Sequence, residues 1–166
     1  MSKGTDGALV SNGAPVRPQY VLTDVNVHVA GKLVAQDKLK GIVLLRPDGP
    51  LRLAYRVAGV NPTDTWSGRR VTYTQFHCTG GRLTVGLSSD QHLFSSPQTV
   101  SAEGISTTFR APAVASLSVP LRRRPDGSCR VVFRVSPTAT PALVERGSTD
   151  TRRLGVHFTS FRVTGT

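Results

Sequence analysis

The sequence predicts an all-β protein: an antiparallel two-sheet β-sandwich, jelly-roll-like, of roughly eight to ten strands. Three observations predict it. Side chains alternate over short stretches, as in Val21, Thr23, Val25, Val27 and Val29, which is the period of a strand with one buried face. Turn-forming segments recur at intervals of roughly ten residues, supplied by 16 glycines and 11 prolines in 166 residues. No segment carries the long 3.6-residue apolar face of a packed helix.

Each element follows from its local pattern. Residues 20–31 form the first strand, with Asp24 and His28 directed to solvent. Residues 41–59 form the clearest hairpin, because "RPDGP" at 46–50 joins a proline that fixes φ, a capping aspartate and a permissive glycine. "RRVTYTQFHC" at 69–78 is a further strand, turned by "TGG" into "RLTVGLSSD", where Leu83, Val85 and Leu87 share a face. Residues 97–104 and 105–112 are short, polar and peripheral. Leu117, Val119 and Leu121 mark the next strand, and "RPDG" at 124–127 supplies a second turn with Asp126 as its cap. Cys129, Val131, Phe133 and Val135 then share one face. A longer loop follows, with one helical turn at 141–146, before the closing strand "RLGVHFTSFRV". Residues 1–18 are expected as a loose N-terminal arm and 19–166 as a single domain. An eight-stranded barrel is the structural alternative, and the Cys, Trp and Cys spacing of an immunoglobulin domain is absent.

Charge bounds the partners. The 21 basic and 10 acidic residues leave a formal charge of +11, which favours phosphate, acidic glycans or anionic surfaces. The arginines are spread along the chain and only Arg122–Arg124 form a run, at a turn, so specific nucleic-acid binding is not expected. No apolar run approaches the length of a transmembrane helix. The first residues lack the apolar centre of a secretory signal, so the chain reads either as cytoplasmic or, as a piece of a cell-envelope protein, as extracytoplasmic. Cys78 and Cys129 are either one disulfide or two buried thiols.

Catalytic signals are weak. There is no GxSxG elbow, no HExxH and no phosphate loop, so no metal, no cofactor and no catalytic residue is assigned. Calcium would suit aspartates and carbonyls in a sandwich, but the carboxylates are few. The interesting stretch is "VNPTDTWSGRRVTY". Trp66, the only tryptophan, sits between Asp64 and Arg69. An indole there either stacks on a sugar ring beside a carboxylate and a guanidinium or folds back as a plug over the core. In "GSTDTRRLGV", Asp150 beside Arg152 and Arg153 makes either a structural clamp or a contact for anions and hydroxyls. Gly155 admits close backbone approach as the last strand begins.

The stretch "FRVSPTATPALVERGSTDTRRLGVHFTSFRV", with Gly147, Asp150, Arg152, Arg153, Leu154 and Gly155, resembles the C-terminal part of accessory β-sandwich domains of bacterial glycosyltransferases and cell-envelope glycan proteins. "DTWSGRRVTYTQFHCTGGRLTVGL", with Asp64, Trp66 and Gly68, is similar to an earlier part of the same domains. The resemblance implies a non-catalytic accessory domain of an actinobacterial-type glycan polymer system, with the transferase elsewhere in a larger polypeptide.

The expected function is therefore carbohydrate binding or glycan organisation linked to cell-envelope polysaccharide synthesis, with a glycan or acidic polysaccharide as partner. Trp66, Asp64, Arg69, Asp150, Arg152 and Arg153 are the expected ligand-binding residues. A structural, oligomerisation or protein-docking module is the second reading, and a glycan-active enzyme with two converging carboxylates is the third.

Overall fold

Alternating side chains become paired strands throughout the computed structural model, which describes residues 2–3, 8–11 and 13–165. In chain order the strands are β1 (Ser2–Lys3), β2 (Leu9–Ser11), β3 (Ala14–Pro15), β4 (Val21–Asp24) and β5 (Val27–Val29). Next come β6 (Gly31–Asp37), β7 (Ile42–Pro47), β8 (Leu53–Val60), β9 (Ser67–Gln75) and β10 (Arg82–Ser88). The remaining strands are β11 (Gln98–Ala102), β12 (Ile105–Phe109), β13 (Ala115–Pro120), β14 (Cys129–Ser136) and β15 (His157–Thr164). A one-turn helix, α1 (Pro141–Val144), lies in the loop before β15.

These strands make four sheets among the described residues, with every pairing antiparallel. The largest has six strands in the order β12-β11-β14-β9-β8-β5, and the others are β13-β10-β15, β4-β7-β6 and β1-β2-β3. The main core lies between the first two. Val71, Tyr73, Val131 and Phe133 of the six-stranded sheet meet Leu83, Val85, Leu117, Val119 and Phe158 of the three-stranded one. A second cluster, Val29, Leu45 and Leu51, gathers the N-terminal elements.

The all-β class stands, but the two-sheet, jelly-roll-like sandwich of the sequence reading is corrected to fifteen strands in four sheets. The resemblance to glycosyltransferase-associated sandwich domains is corrected with it, since the two-sheet architecture it implied is not the one formed. The cause lies in the N-terminal third. The expected strand over 20–31 is broken in two. Asp24 does not simply face solvent; its Oδ1 accepts the backbone N–H of Asn26 at 2.8 Å, turning the chain. Asn26 Nδ2 then donates to the Val60 carbonyl at 2.8 Å. β4 therefore joins β7, whereas β5 joins β8.

The expected hairpin over 41–59 is also not formed, because β7 and β8 belong to different sheets. Leu51, between Pro50 and β8, finds other partners. Its N–H donates to the Val16 carbonyl at 2.8 Å and its carbonyl accepts from Leu9 at 3.0 Å. Of the arm expected over 1–18, residues 1, 4–7 and 12 lie outside the described residues. Leu9 and Val16 pack on the second core cluster.

Cys78 and Cys129 are joined by a disulfide across a separation of 51 residues. It ties the end of β9 to the start of β14, with the Cys78 N–H donating to the Gly127 carbonyl at 3.0 Å. Replacing both cysteines by alanine should cost about 4 kcal/mol in the chain-entropy limit. Urea unfolding of the oxidised protein and of the double variant measures this.

Candidate anion-binding face and the loop end

Every residue proposed from the sequence as a ligand contact is accounted for at one end of the β9 strand or beside it. The loop before β9 is shaped by Asp64, whose Oδ1 accepts the Trp66 N–H at 3.2 Å, and by Thr65 in the left-handed region at φ 60°. Trp66 is half-buried against Leu93, Phe94 and Leu154. Its ring lies 3.8 Å from that of His157 and 6.4 Å from that of Phe94. His157 Nδ1 sits 3.0 Å from both Thr65 Oγ1 and the Asp64 carbonyl.

Arg152 closes this end. Its Nη1 donates to Asp64 Oδ2 at 2.7 Å, and its Nη2 donates to Asp150 Oδ2 at 2.7 Å. Nε adds bonds to both Asp150 oxygens, giving a fork-to-carboxylate pairing of high directionality. The bonds from the Arg152 side chain, then from its backbone N–H, hold the Asp150 carboxyl below its ordinary range. The two carboxylates raise the Arg152 pKa in return. Arg153 points its Nε to Thr138 Oγ1 at 2.9 Å. Trp66, Arg152, Arg153 and the 59–61 segment border a shallow cleft of about 280 Å³. Asp64, Trp66, Asp150, Arg152 and Arg153 thus come together, whereas Arg69 is exposed on β9 and does not line that cleft.

Beneath the latch is a buried polar network the sequence reading missed. Gln98, fully buried, donates from Nε2 to the carbonyls of Pro137 at 3.0 Å and Gly155 at 2.8 Å, and its Oε1 accepts from Ser89. Ser67 Oγ accepts the Val156 N–H at 3.1 Å. Gly155 is required by close approach, since a Cβ there would lie 2.8 Å from Val135 Cγ1 and 2.9 Å from the Gly68 carbonyl. All side-chain groups named here have partners, so the loop end is built chiefly as a latch.

The outer face of the six-stranded sheet is different. Outward residues alternate with core residues along β14, where Arg130, Val132 and Arg134 lie between buried Cys129, Val131, Phe133 and Val135. Register places Thr74 opposite both Arg56 and Arg130, Thr72 opposite both Ala58 and Val132, and Arg70 opposite Arg134. Two arginine-bearing rows therefore run across the strands, about 13 Å apart by strand rise, with a small uncharged row between them. Arg56, Arg70, Arg130 and Arg134 are all exposed. At one side of the face Arg70, Arg130, Arg122, Arg124 and Glu103 line a hollow of about 370 Å³ with Val132.

Two turns set the rim of that hollow. Glu103 and Gly104 both have positive φ, 51° and 77°, and join β11 to β12 as a two-residue hairpin turn of the primed type. Asp126 holds the 122–128 turn, its Oδ1 accepting from the Ser128 N–H at 2.9 Å and the Ser128 hydroxyl at 2.7 Å. Those two bonds, aided by nearby Arg124, lower the Asp126 pKa. Glu103 is the one carboxylate lining the hollow, and no ion pair joins it to these arginines among the described residues. Arg130 and Arg134 read from the sequence as solvent-facing. That Arg70 stands beside Arg134 depends on β9 pairing with β14, which no local signal announces.

The chain matches no protein-family model, no curated protein and no solved structure. Among the described residues no helix is long and apolar enough to cross a membrane.

The latch predicts an acid-sensitive contribution to stability. The folded Asp150 pKa is depressed, so its contribution is complete above the unfolded aspartate value of about 3.9 and is lost as pH falls through the lower folded value. Thermal midpoints measured from neutral pH down to strong acid should fall more steeply below about pH 4 for the parent than for Asp150→Asn. Parallel curves would show that the latch is energetically silent.

Proposed function

We propose that this chain is a non-catalytic module that binds an acidic polysaccharide across the outer face of its six-stranded sheet. The observation that carries the reading is the direct cross-strand pairing of Arg70 with Arg134, flanked by Arg130 and the arginines of the hollow. Like charges directly opposite one another in a sheet are destabilising. A bound polyanion relieves that repulsion and gains charge-assisted hydrogen bonds from guanidinium forks.

The chemistry of the face favours an acidic glycan over its rivals. Arginine forks suit carboxylates and sulfates, and Thr72, Thr74 and Ser101 add hydroxyls on the same side. No aromatic side chain stands among Arg56, Arg70, Arg130 and Arg134 to stack a base, as single-stranded nucleic-acid sites use. This sheet face also presents no helix to enter a duplex groove. Trp66 supports a neutral-sugar platform poorly, since its ring is packed against His157 and the Phe94 cluster. An enzymatic reading has little support, because Asp64 and Asp150 converge on a single guanidinium.

Calorimetric titration with polygalacturonate should give saturable binding that weakens at least tenfold between about 50 and about 300 mM salt. The Arg70→Gln/Arg134→Gln double variant should bind at least tenfold more weakly. Arg146→Gln, exposed beyond α1, should bind like the parent. Equal binding by the double variant, or equal binding of neutral dextran, would sink the proposal. Tighter binding of poly(dT) than of the polysaccharide would transfer the face to nucleic acid. Relief of repulsion carries its own consequence: Arg134→Thr should unfold about 0.2–1 kcal/mol less readily in urea while binding the polymer more weakly.

A further inference from the structure

The six-stranded sheet is wider than the three-stranded sheet that covers it. β12 and β13 meet at one side, and at the other Phe161 of the edge strand β15 stacks over Tyr73 of β9 at 5.8 Å. The core-facing side of β8 and β5 continues past that edge. There a cavity of about 430 Å³ opens between the layers, lined chiefly by Leu53, Tyr55, Tyr73, Gln75, Phe161 and Val163.

Three features describe what this cavity can hold. Three stacked aromatic rings border it, Tyr55 on Tyr73 at 5.5 Å and 27° and Tyr73 on Phe161 at 5.8 Å and 12°. An aromatic lining of this kind favours an aromatic guest. The cavity also has a size common for small-molecule sites, and its mostly apolar lining includes the polar side chains of Arg52, Gln75 and His77 and two phenols. Finally, Gln75 Oε1 is buried with no hydrogen-bond donor. Register puts Gln75 between Tyr55 and Cys129 on the core-facing side, where a buried amide is costly unless paired. The terminal amide torsion is broad and nearly two-fold, so the amide can turn either edge toward the cavity.

We infer that this cavity is a binding site for a small aromatic molecule with one hydrogen-bond donor, which pairs with the Gln75 amide while the ring packs against Tyr55, Tyr73 and Phe161. The site is on the opposite side of the sheet from the arginine face and is independent of the polysaccharide reading.

The test uses N-phenyl-1-naphthylamine, a neutral planar probe with one N–H, and its N-methyl analogue, which lacks that donor. The expected result is a saturable fluorescence rise at one probe per chain, unchanged by salt. Gln75→Leu should weaken the N–H probe about tenfold and leave the N-methyl probe unchanged. Val163→Phe, which fills the cavity from β15, should abolish binding of both. Tyr55→Ala, at a half-buried position, serves the same purpose should the phenylalanine prevent folding, and circular dichroism verifies each fold. No saturable binding, binding at several probes per chain, binding that survives both cavity variants, or equal response of the two probes to Gln75→Leu would each overturn the inference.

Discussion

A six-stranded sheet packed on a three-stranded one has more inner face than its partner can bury. The main core forms where the two overlap, around Val71, Val85, Val119, Val131 and Phe133, and there the burial of apolar area holds the layers together. Beyond the edge of β15, the inner face must be covered by something else or left accessible. The N-terminal elements form a separate core. Val29 of β5 is drawn into the second cluster with Leu45 and Leu51, and that cluster recruits Leu9 and Val16. Tyr55 packs against the main core, carries His28 stacked on its ring and lines the cavity beyond β15.

The outer face of the same sheet is governed by charge. A sheet face turned to water tolerates arginines singly, because solvent screens them. Pairing them across β9 and β14 is a different matter, since register rather than side-chain choice sets their separation. The turns at 103–104 and 122–128 then bring further arginines to the same rim and only one carboxylate. Residues placed against their own electrostatic preference within an otherwise regular strand are where local rules give way to function.

Much of the fold was legible because alternation is a local property. β10, β13 and β14 appear where the period places them, with Leu83, Val85 and Leu87 buried on one side and Cys129 to Val135 on another. The break between β4 and β5 was not legible, since the valines keep their period straight through the Asp24–Asn26 turn. The false hairpin at 46–50 has a similar origin. Its turn residues are well chosen for a reversal, but Leu51 is claimed by Leu9 and Val16, more than thirty residues away. At the loop end, the contact of Asp150 with Arg152 could be read from a spacing of two residues. Its other half, Asp64, is 88 residues distant and required the fold. Gln98 and Gln75 gave no signal at all, because a lone amide in a polar strand looks solvent-facing until the layers are known.

The two ends of β9 are closed by unlike means, and this bears on how the outer face works. At Ser67 the chain is held by backbone and side-chain bonds to Gly155 and Val156, with Arg152 latched above. About 30 Å away by strand rise, past Gln75, the disulfide fixes Cys78 to Cys129. A strand pinned at both ends cannot slip in register against β14 without breaking one of them. Because a one-residue slip would turn Arg70 into the core and Val71 out to solvent, the pins keep Arg70 opposite Arg134 despite their repulsion. The arginine face is then pre-ordered, and the extended anion proposed for it would lose its own freedom without also having to order the strands beneath.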